Sequence, residues 1–262
     1  MIHSLAHVDS KAKVAKNVKI DPFVNVYEDV EIGEGTWIGS NAVIMDGARI
    51  GKNCKIFPGA VVSGVPQDLK FTGEKTTAEV GDHTTIREFV TLNRGTKAKG
   101  LTKIGSNCLI QSYAHIAHDC TLGDSMILGS HAGLAGEVEV DDFAIISPYS
   151  IVHQFVRIGK HSFVQAAGKV GKDVPPYILA GREPLSYTGI NSIGLRRKNF
   201  SKESIYEIQE IYRIIYQRGM NISDAIRYIE TNSPATDERD EIILFITNSK
   251  RGIIRGYFDN DE

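Results

Sequence analysis

From Ile104 to Val170 an aliphatic residue returns at every sixth position without a miss: Ile104, Ile110, Ile116, Leu122, Leu128, Leu134, Val140, Ile146, Val152, Ile158, Val164 and Val170. Two residues before most of them stands a small one, among them Cys108, Ala114, Cys120, Ala132, Ala144, Ser150, Ser162 and Gly168. A period of six fits neither the 3.6-residue helix nor a plain strand, although it contains the strand's inward spacing of two. It fits a strand, a corner and another strand repeated around a solenoid, where each unit buries its aliphatic side chain by stacking on its neighbours. The same ladder begins upstream with Val8, Val14, Ile20, Val26, Ile32, Ile38, Ile44, Ile50, Ile56 and Val62. It lapses, returns for Val80, Ile86 and Leu92, and lapses again before Ile104.

At three positions per turn, the ladder predicts an all-β solenoid of about eight coils of about 18 residues, with exposed ends that need a cap. Gly33, Gly39 and Gly51 follow ladder residues, where a corner is expected to draw on glycine's freedom in φ. The two lapses predict loops at 63–79 and 97–103; a loop on a rigid scaffold is a usual place for function, and plain insertion is the other reading. After Val174-Pro-Pro-Tyr177 the period changes. Ser201-Lys-Glu-Ser204 opens a helix with Ile205, Ile208, Ile211, Tyr212 and Ile215 on one face, ending near Gly219. Two further helices are expected, from Ser223 to about Glu230 and from Asp237 to about Asn248. Tyr206, Tyr212 and Tyr216 read as packing residues, and the basic run Lys250-Arg-Gly-Ile-Ile-Arg255 as a solvated end. The chain thus divides into a β-solenoid over 1–182 and a helical region over 183–262.

Composition narrows the class. The 262 residues carry 30 Lys and Arg against 32 Asp and Glu, which gives no global argument for a nucleic-acid partner or an anionic membrane surface. No run of 18 apolar residues occurs, and the first residues lack a signal peptide's basic and apolar regions, so a cytoplasmic protein without stable membrane insertion is expected. Cys54, Cys108 and Cys120 all occupy the small inward position of the ladder, which reads them as buried hydrophobes and not as ligands or nucleophiles.

The candidate chemistry follows from stacking. In an uninterrupted coil, residues 18 apart lie one above another at about the 4.8 Å sheet spacing. His118 should sit beneath Gly136 and then Gln154, Asp119 beneath Glu137, and His153 above Ala135. If the second loop adds one repeat's length, Arg94 and Asn93 lie just below His118 and Ala117. The result is a polar wall of Asn93, Arg94, His118, Asp119, Glu137, His153 and Gln154, with His115 facing outward beside it. A histidine next to a carboxylate suits general-base work, since the acid orients the ring and stabilises the imidazolium. A glycine above it would let a substrate approach a backbone N–H that can serve as an oxyanion donor. Exposed polar corners, which any solenoid needs, are the other reading of the same wall.

At these residues the chain resembles a known family. The segments His115-Ile-Ala-His118-Asp119-Cys120, Ile86-Arg-Glu-Phe-Val-Thr-Leu-Asn-Arg-Gly-Thr96, Pro66-Gln-Asp-Leu-Lys70, His153-Gln-Phe155, Asp173-Val-Pro-Pro-Tyr177 and Gly194-Leu-Arg-Arg197 together resemble the UDP-N-acetylglucosamine acyltransferases, nearly end to end. The resemblance implies a left-handed parallel β-helix, an exception to the right-handed crossover rule, followed by a helical domain. It implies a homotrimer with active sites in clefts between subunits. The reaction it implies is transfer of a 3-hydroxyacyl chain from acyl carrier protein, through its phosphopantetheine thioester, to the glucosamine 3-hydroxyl of UDP-N-acetylglucosamine. That reaction opens lipid A biosynthesis.

By the same resemblance His118 would be the general base, Asp119 its orienting partner and the Gly136 N–H the oxyanion donor. Gln67, Asp68 and Lys70 would bind sugar and acyl groups, reaching into the neighbour's cleft. His115, His153 and Gln154 would line the substrate path, with Asn191 and Arg197 at the nucleotide end. No metal and no cofactor beyond the carrier's own arm is implied. The chain departs from the family's pattern at Glu137 and Asn93, where histidine is usual, and at Ile193, where an acidic residue is frequent. Gln165-Ala166-Ala167 falls where the family sets acyl length, and small residues there suit a longer chain. Two alternatives stay open: a γ-carbonic-anhydrase-like trimer holding zinc on His115, His118 and His153, and a related acyltransferase taking a 3-amino sugar or an acyl-coenzyme A.

Overall fold

A computed structural model describes residues 1–256; the last six positions of the expected helical region, 257–262, lie outside the described residues. The ladder is the architecture. Every one of its positions, from Val8 to Val170, falls in a strand of two to four residues. Among the described residues those strands stack into three parallel sheets of nine, eight and eight strands, the third extended to eleven by strands of the C-terminal region. The first sheet contains His115–Ile116, the second Thr121–Leu122 and the third Ile127–Leu128. The coil is the left-handed parallel β-helix expected. Ladder side chains from Ile20 onward are 0–4% exposed and fill the prism in single file, while Val8 and Val14 at the open end are half-buried.

Register holds across both lapses. His115 pairs with Gly133 and Gly133 with Ile151, the 18-residue step. Val61 pairs with Thr91, 30 residues on, and Thr91 with His115, 24 on, so the insertions add 12 and 6 residues to one coil each. Both are multiples of the repeat, which keeps each aliphatic residue facing inward. The insertions are tighter than the sequence suggests. Strands Val61–Gly64, Thr77–Val80 and Leu101–Ile104 claim the ends of the segments expected as loops.

The corners correct the expectation for glycine. The third residue past a ladder position takes the left-handed backbone, and it is usually not glycine: Asn41 (φ 61°), Tyr113 (φ 64°), Asp119 (φ 61°) and His131 (φ 59°) are examples. Gly33, Gly39 and Gly51 stand two positions earlier, and their backbone is not left-handed. They serve close approach instead. A Cβ on Gly33 would lie 2.6 Å from the Gly51 carbonyl carbon, and one on Gly51 2.4 Å from Asp82 Oδ1. The second residue past the ladder has an N–H that most corners leave out of the backbone hydrogen-bond ladder, so proline is accommodated at Pro22, Pro58 and Pro148.

The three helices predicted from periodicity are present as α2 (Lys202–Gln217), α3 (Ile222–Asn232) and α4 (Asp237–Thr247), capped by Ser201, Asn221 and Thr236. Before them come an antiparallel hairpin, Ile178–Gly181 with Ser186–Ile190, and a short helix α1 (Ser192–Arg197); the pattern of apolar residues signalled neither. Tyr212 is fully buried, with its hydroxyl donating to Pro176 O at 2.6 Å, and Tyr216 is buried beside it, but Tyr206 is exposed. The basic tail keeps Lys250 and Arg255 exposed, as expected, but the segment is docked and not a free end. Ile254 is buried, its N–H donates to Asp173 O, and Arg255–Gly256 adds a parallel strand to Ser186–Tyr187. Cys54, Cys108 and Cys120 are free and buried, as their register predicts. No described helix is long and apolar enough to cross a membrane.

Candidate active site

Both insertions leave the same corner, between the first and second sheets, and the register stacks Arg94, His118, Gly136 and Gln154 along it. Within this column the side chain of His118 is 12% exposed and its Nδ1 lies 2.7 Å from Asp119 Oδ2. Adjacent residues on a strand face opposite ways. These two meet because Asp119 occupies the left-handed corner position, which turns its carboxylate back and inward.

Asp119 is therefore not part of the exposed wall that spacing suggested; its side chain is fully buried. Its acceptors are met from the second insertion. Thr96 Oγ1 donates to Oδ2 at 2.7 Å, Thr96 N to Oδ1 at 3.0 Å and Lys99 N to Oδ1 at 3.1 Å. The Asp119 N–H donates to Thr102 Oγ1 at 2.8 Å. Burial alone would raise the carboxyl's pKa, but hydrogen bonds from Thr96, His118 and Lys99 outweigh it and hold the group below its ordinary value. An ionised carboxylate only accepts, so the His118 proton sits on Nδ1 and the Nε2 lone pair is left open.

Facing Nε2 is Asp68, its Oδ2 3.9 Å away, beyond direct hydrogen-bond reach. Asp68 belongs to the first insertion, and the His118 it faces is that of its own chain. Gln67, Leu69 and Lys70 around it are exposed. Three contacts hold this insertion down: Asn93 Nδ2 donates to Val65 O at 3.1 Å, the Arg94 guanidinium lies 5.4 Å from the Phe71 ring centre, and Glu74 bridges the two insertions. Glu74 accepts from Thr72 N at 2.9 Å and from Lys97 N at 3.0 Å, and backbone donors, its own included, hold its carboxyl down to about 2. Asn93, like Asp119, is buried and not on the wall.

Gly136 is dictated by the imidazole. A Cβ there would stand 2.6 Å from His118 Cε1, and the backbone is not left-handed, so it is contact with the imidazole, and not backbone strain, that a side chain would meet. Its N–H is the corner donor the coil leaves unused; it has no acceptor among the described residues. His115 Nδ1 lies 2.7 Å from Thr91 Oγ1, and burial lowers its pKa, so the ring is neutral near pH 7. His153 is exposed, with Nδ1 3.1 Å from Gln154 O. Glu137 turns the other way, into a separate hollow with Lys99, Glu139 and Arg157 on the second sheet's side.

Two expected residues are not brought to His118 within one chain. Asn191 caps α1 by accepting from Gly194 N at 3.1 Å and donating to His161 O at 2.9 Å, at another corner of the prism. Arg197 is exposed at the end of α1. Thr96, Lys99 and Thr102 were not singled out by sequence; the clue available was Thr96 at the end of the Ile86 to Thr96 segment, where the ladder lapses. No group of three or more His, Cys, Asp or Glu among the described residues is arranged to hold a metal.

Comparison with known proteins agrees along the whole chain. The family described as UDP N-acetylglucosamine O-acyltransferase, domain 2, matches residues 173–254, and the bacterial transferase hexapeptide family matches 29–64 and 101–136. A UDP-N-acetylglucosamine acyltransferase from Bacteroides fragilis is 51% identical with a TM-score of 0.96, over 97% of this chain and 100% of that one. The enzyme of that name from Francisella novicida is 39% identical with a TM-score of 0.95, over 99% and 95%. A structure from Acinetobacter baumannii is 40% identical with a TM-score of 0.94, over 97% and 99%. The chain belongs to the UDP-N-acetylglucosamine acyltransferase family.

Proposed function

We propose that the protein transfers a 3-hydroxyacyl chain from acyl carrier protein to the 3-hydroxyl of UDP-N-acetylglucosamine, the opening step of lipid A biosynthesis. The observation that carries the reading is the open Nε2 of His118, backed by a buried carboxylate and set against a glycine whose N–H is unused. His118 Nε2 takes the hydroxyl proton as the sugar oxygen attacks the thioester carbon. The Gly136 N–H stabilises the tetrahedral oxyanion, and collapse expels the phosphopantetheine thiolate, which receives the proton back from His118. General-base assistance is worth about 10²–10⁴ in rate and one oxyanion donor about 10²–10³.

Asp68, opposite Nε2, is suited to orient the acceptor, with Gln67 and Lys70 on the same loop contacting sugar and acyl groups. His115, neutral and fixed by Thr91, lines the path with His153 and Gln154. Arg197 offers a guanidinium to the phosphates, and Asn191 acts by holding α1 in place. The reaction needs no metal and no resident cofactor.

Self-association fits the surface. The second sheet's outward residues are mostly charged, among them Glu31, Arg49, Glu79, Lys103 and Arg157. The middle coils of the other faces are apolar: Val43, Val61 and Ile151 point out from the first and Leu109, Ile127 and Phe163 from the third, with Lys169 on the first and Lys19 and Lys55 on the third toward the ends of the column. The corner joining those two faces carries stacked, exposed rings, Phe89, Tyr113, His131 and Tyr149, with centroids 4.8–5.2 Å apart. A closed three-fold ring would pair one apolar face with the other, which supports a homotrimer. Three free thiols fit a reducing cytoplasm.

The test is an acyl-transfer assay with carrier-protein and coenzyme A thioesters of several chain lengths, against UDP-N-acetylglucosamine and its 3-amino analogue. Transfer from the carrier protein to the 3-hydroxyl is expected. Preference for the amine or for coenzyme A would reassign the substrates, and inactivity with stoichiometric zinc in the purified protein would end the acyltransferase reading.

A further inference from the structure

Asp119 meets more donors than a pairing with His118 requires, and they come from one place. We propose that Thr96 is a positioning residue for acyl transfer: its hydroxyl and N–H hold the Asp119 carboxylate turned toward His118 Nδ1. The proposal rests on the acyl-transfer reading above.

Thr96 is 6% exposed. Its hydroxyl accepts from Ala98 N at 3.2 Å, which commits the hydroxyl hydrogen to Asp119 Oδ2 at 2.7 Å. The Thr96 N–H and the Lys99 N–H converge on the other carboxylate oxygen. Backbone bonds shape this cradle: Gly100 N donates to Thr96 O at 2.6 Å and Gly95 N to Thr77 O at 3.0 Å. The six residues added to this coil therefore place three donors around one buried anion.

The neighbouring left-handed corners lack such a cradle. Glu137 and Phe155 continue the Asp119 column, and neither places a buried carboxylate against a ring. Without the Thr96 hydroxyl, Asp119 would keep its two backbone donors on Oδ1, but Oδ2, the oxygen that meets His118, would lose the donor that fixes its direction. His118 Nδ1 would then lose its acceptor at the moment Nε2 takes the hydroxyl proton and the imidazolium forms. Thr96 itself gains and loses no proton; it acts through Asp119.

The test uses the full chain and the substitutions Thr96→Val, Thr96→Ser and Asp119→Asn. Thr96→Val is expected to lower kcat about 10- to 100-fold, the loss of one charge-assisted hydrogen bond. KM for both substrates should stay within about twofold, and Thr96→Ser should recover most of kcat. In the Asp119→Asn background, adding Thr96→Val should change kcat by less than about twofold, because the group it acts through is gone. An unchanged kcat in Thr96→Val, or an equal loss in the Asp119→Asn background, overturns the proposal. Should Thr96→Val fail to fold, Thr96→Ala carries the same cycle.

A readout independent of turnover is the low-field proton resonance of the His118 Nδ1–H, assigned by its disappearance in His118→Ala. It should persist in Thr96→Ser and shift or vanish in Thr96→Val. If the wild type proves inert in the acyl-transfer assay, the functional reading falls while this resonance still decides the positioning role: unmoved in Thr96→Val, it overturns that role as well.

Discussion

Gly136 lies against His118 so closely that a Cβ would come within 2.6 Å of Cε1 and 2.7 Å of Nε2. The two residues are 18 apart and occupy the same corner of successive coils, so one coil's lack of a side chain makes room for the next coil's imidazole. The unused N–H of Gly136 is thereby kept beside the one nitrogen of His118 that has no partner in hydrogen-bond reach.

Gly136→Ala should fold, since its φ suits any residue, yet it must push the imidazole aside. Expected are a fall in kcat of about 10²-fold or more, from a displaced base next to a displaced donor, and a loss of stability of about 1–3 kcal/mol. Steady-state kinetics and a denaturation curve check both. Wild-type kcat would show that the contact is not part of the site.

His118→Ala removes the base and leaves the ladder intact. The variant should melt near the wild-type temperature and lose about 10²–10⁴ in kcat. Activity retained within about threefold would remove His118 from the role of base.

Asp141 supplies a pH signature with a definite sign. Burial pushes its carboxyl up to about 6, with Arg157 opposing and the charges of Glu241, Asp142 and Glu139 adding to the rise. A folded value above the unfolded one, about 3.9, means the ionised form costs stability; the cost grows as pH rises through that interval and is complete above about 6. Asp141→Asn should therefore stabilise the protein at pH 7.5 by on the order of 1–3 kcal/mol, with the gain shrinking toward pH 4. Asp119 has the opposite sign: its folded value is depressed, so its contribution is present above about 3.9 and lost as pH falls through the folded value. Chemical denaturation across this range measures the first effect, and a pH-independent gain would contradict it.

Ile127 tests assembly. It points out from the third sheet, half-buried, with nothing in the chain's own core depending on it. Ile127→Asp should leave the coil folded by circular dichroism and shift the sedimentation coefficient to that of a smaller species, with activity falling alongside. An unchanged sedimentation profile would take this face out of the interface.

The tail and the corners mark where one-dimensional reading stops. Lys250 to Arg255 looks like a solvated basic end because its charges dominate its composition; Ile254 is nevertheless buried, and the segment docks on Asp173 and the hairpin through backbone bonds that composition does not encode. Gly33 and Gly51 are legible as special but for the wrong reason. Their need is for contact between coils, which a rule about a residue's own φ does not contain. The hairpin at Ile178–Ile190 and α1 were silent because short elements carry too few residues for a period to show.

The sequence by itself determined the solenoid, the inward residue of each strand, the burial of the cysteines and the stacking of Gly136 over His118. All four follow from a period of six and its threefold multiple, and a repeat that survives insertions of 12 and 6 residues leaves the register no freedom. Only the tertiary structure decided what Asp119 and the insertions do. The left-handed corner turns Asp119 inward, Thr96 and Lys99 surround it, and Asp68 is lowered toward Nε2. Aperiodic loops have no ladder to read; their path is set by hydrogen bonds such as that donated by Lys97 N to Glu74, between residues far apart in the chain and brought together by the coil.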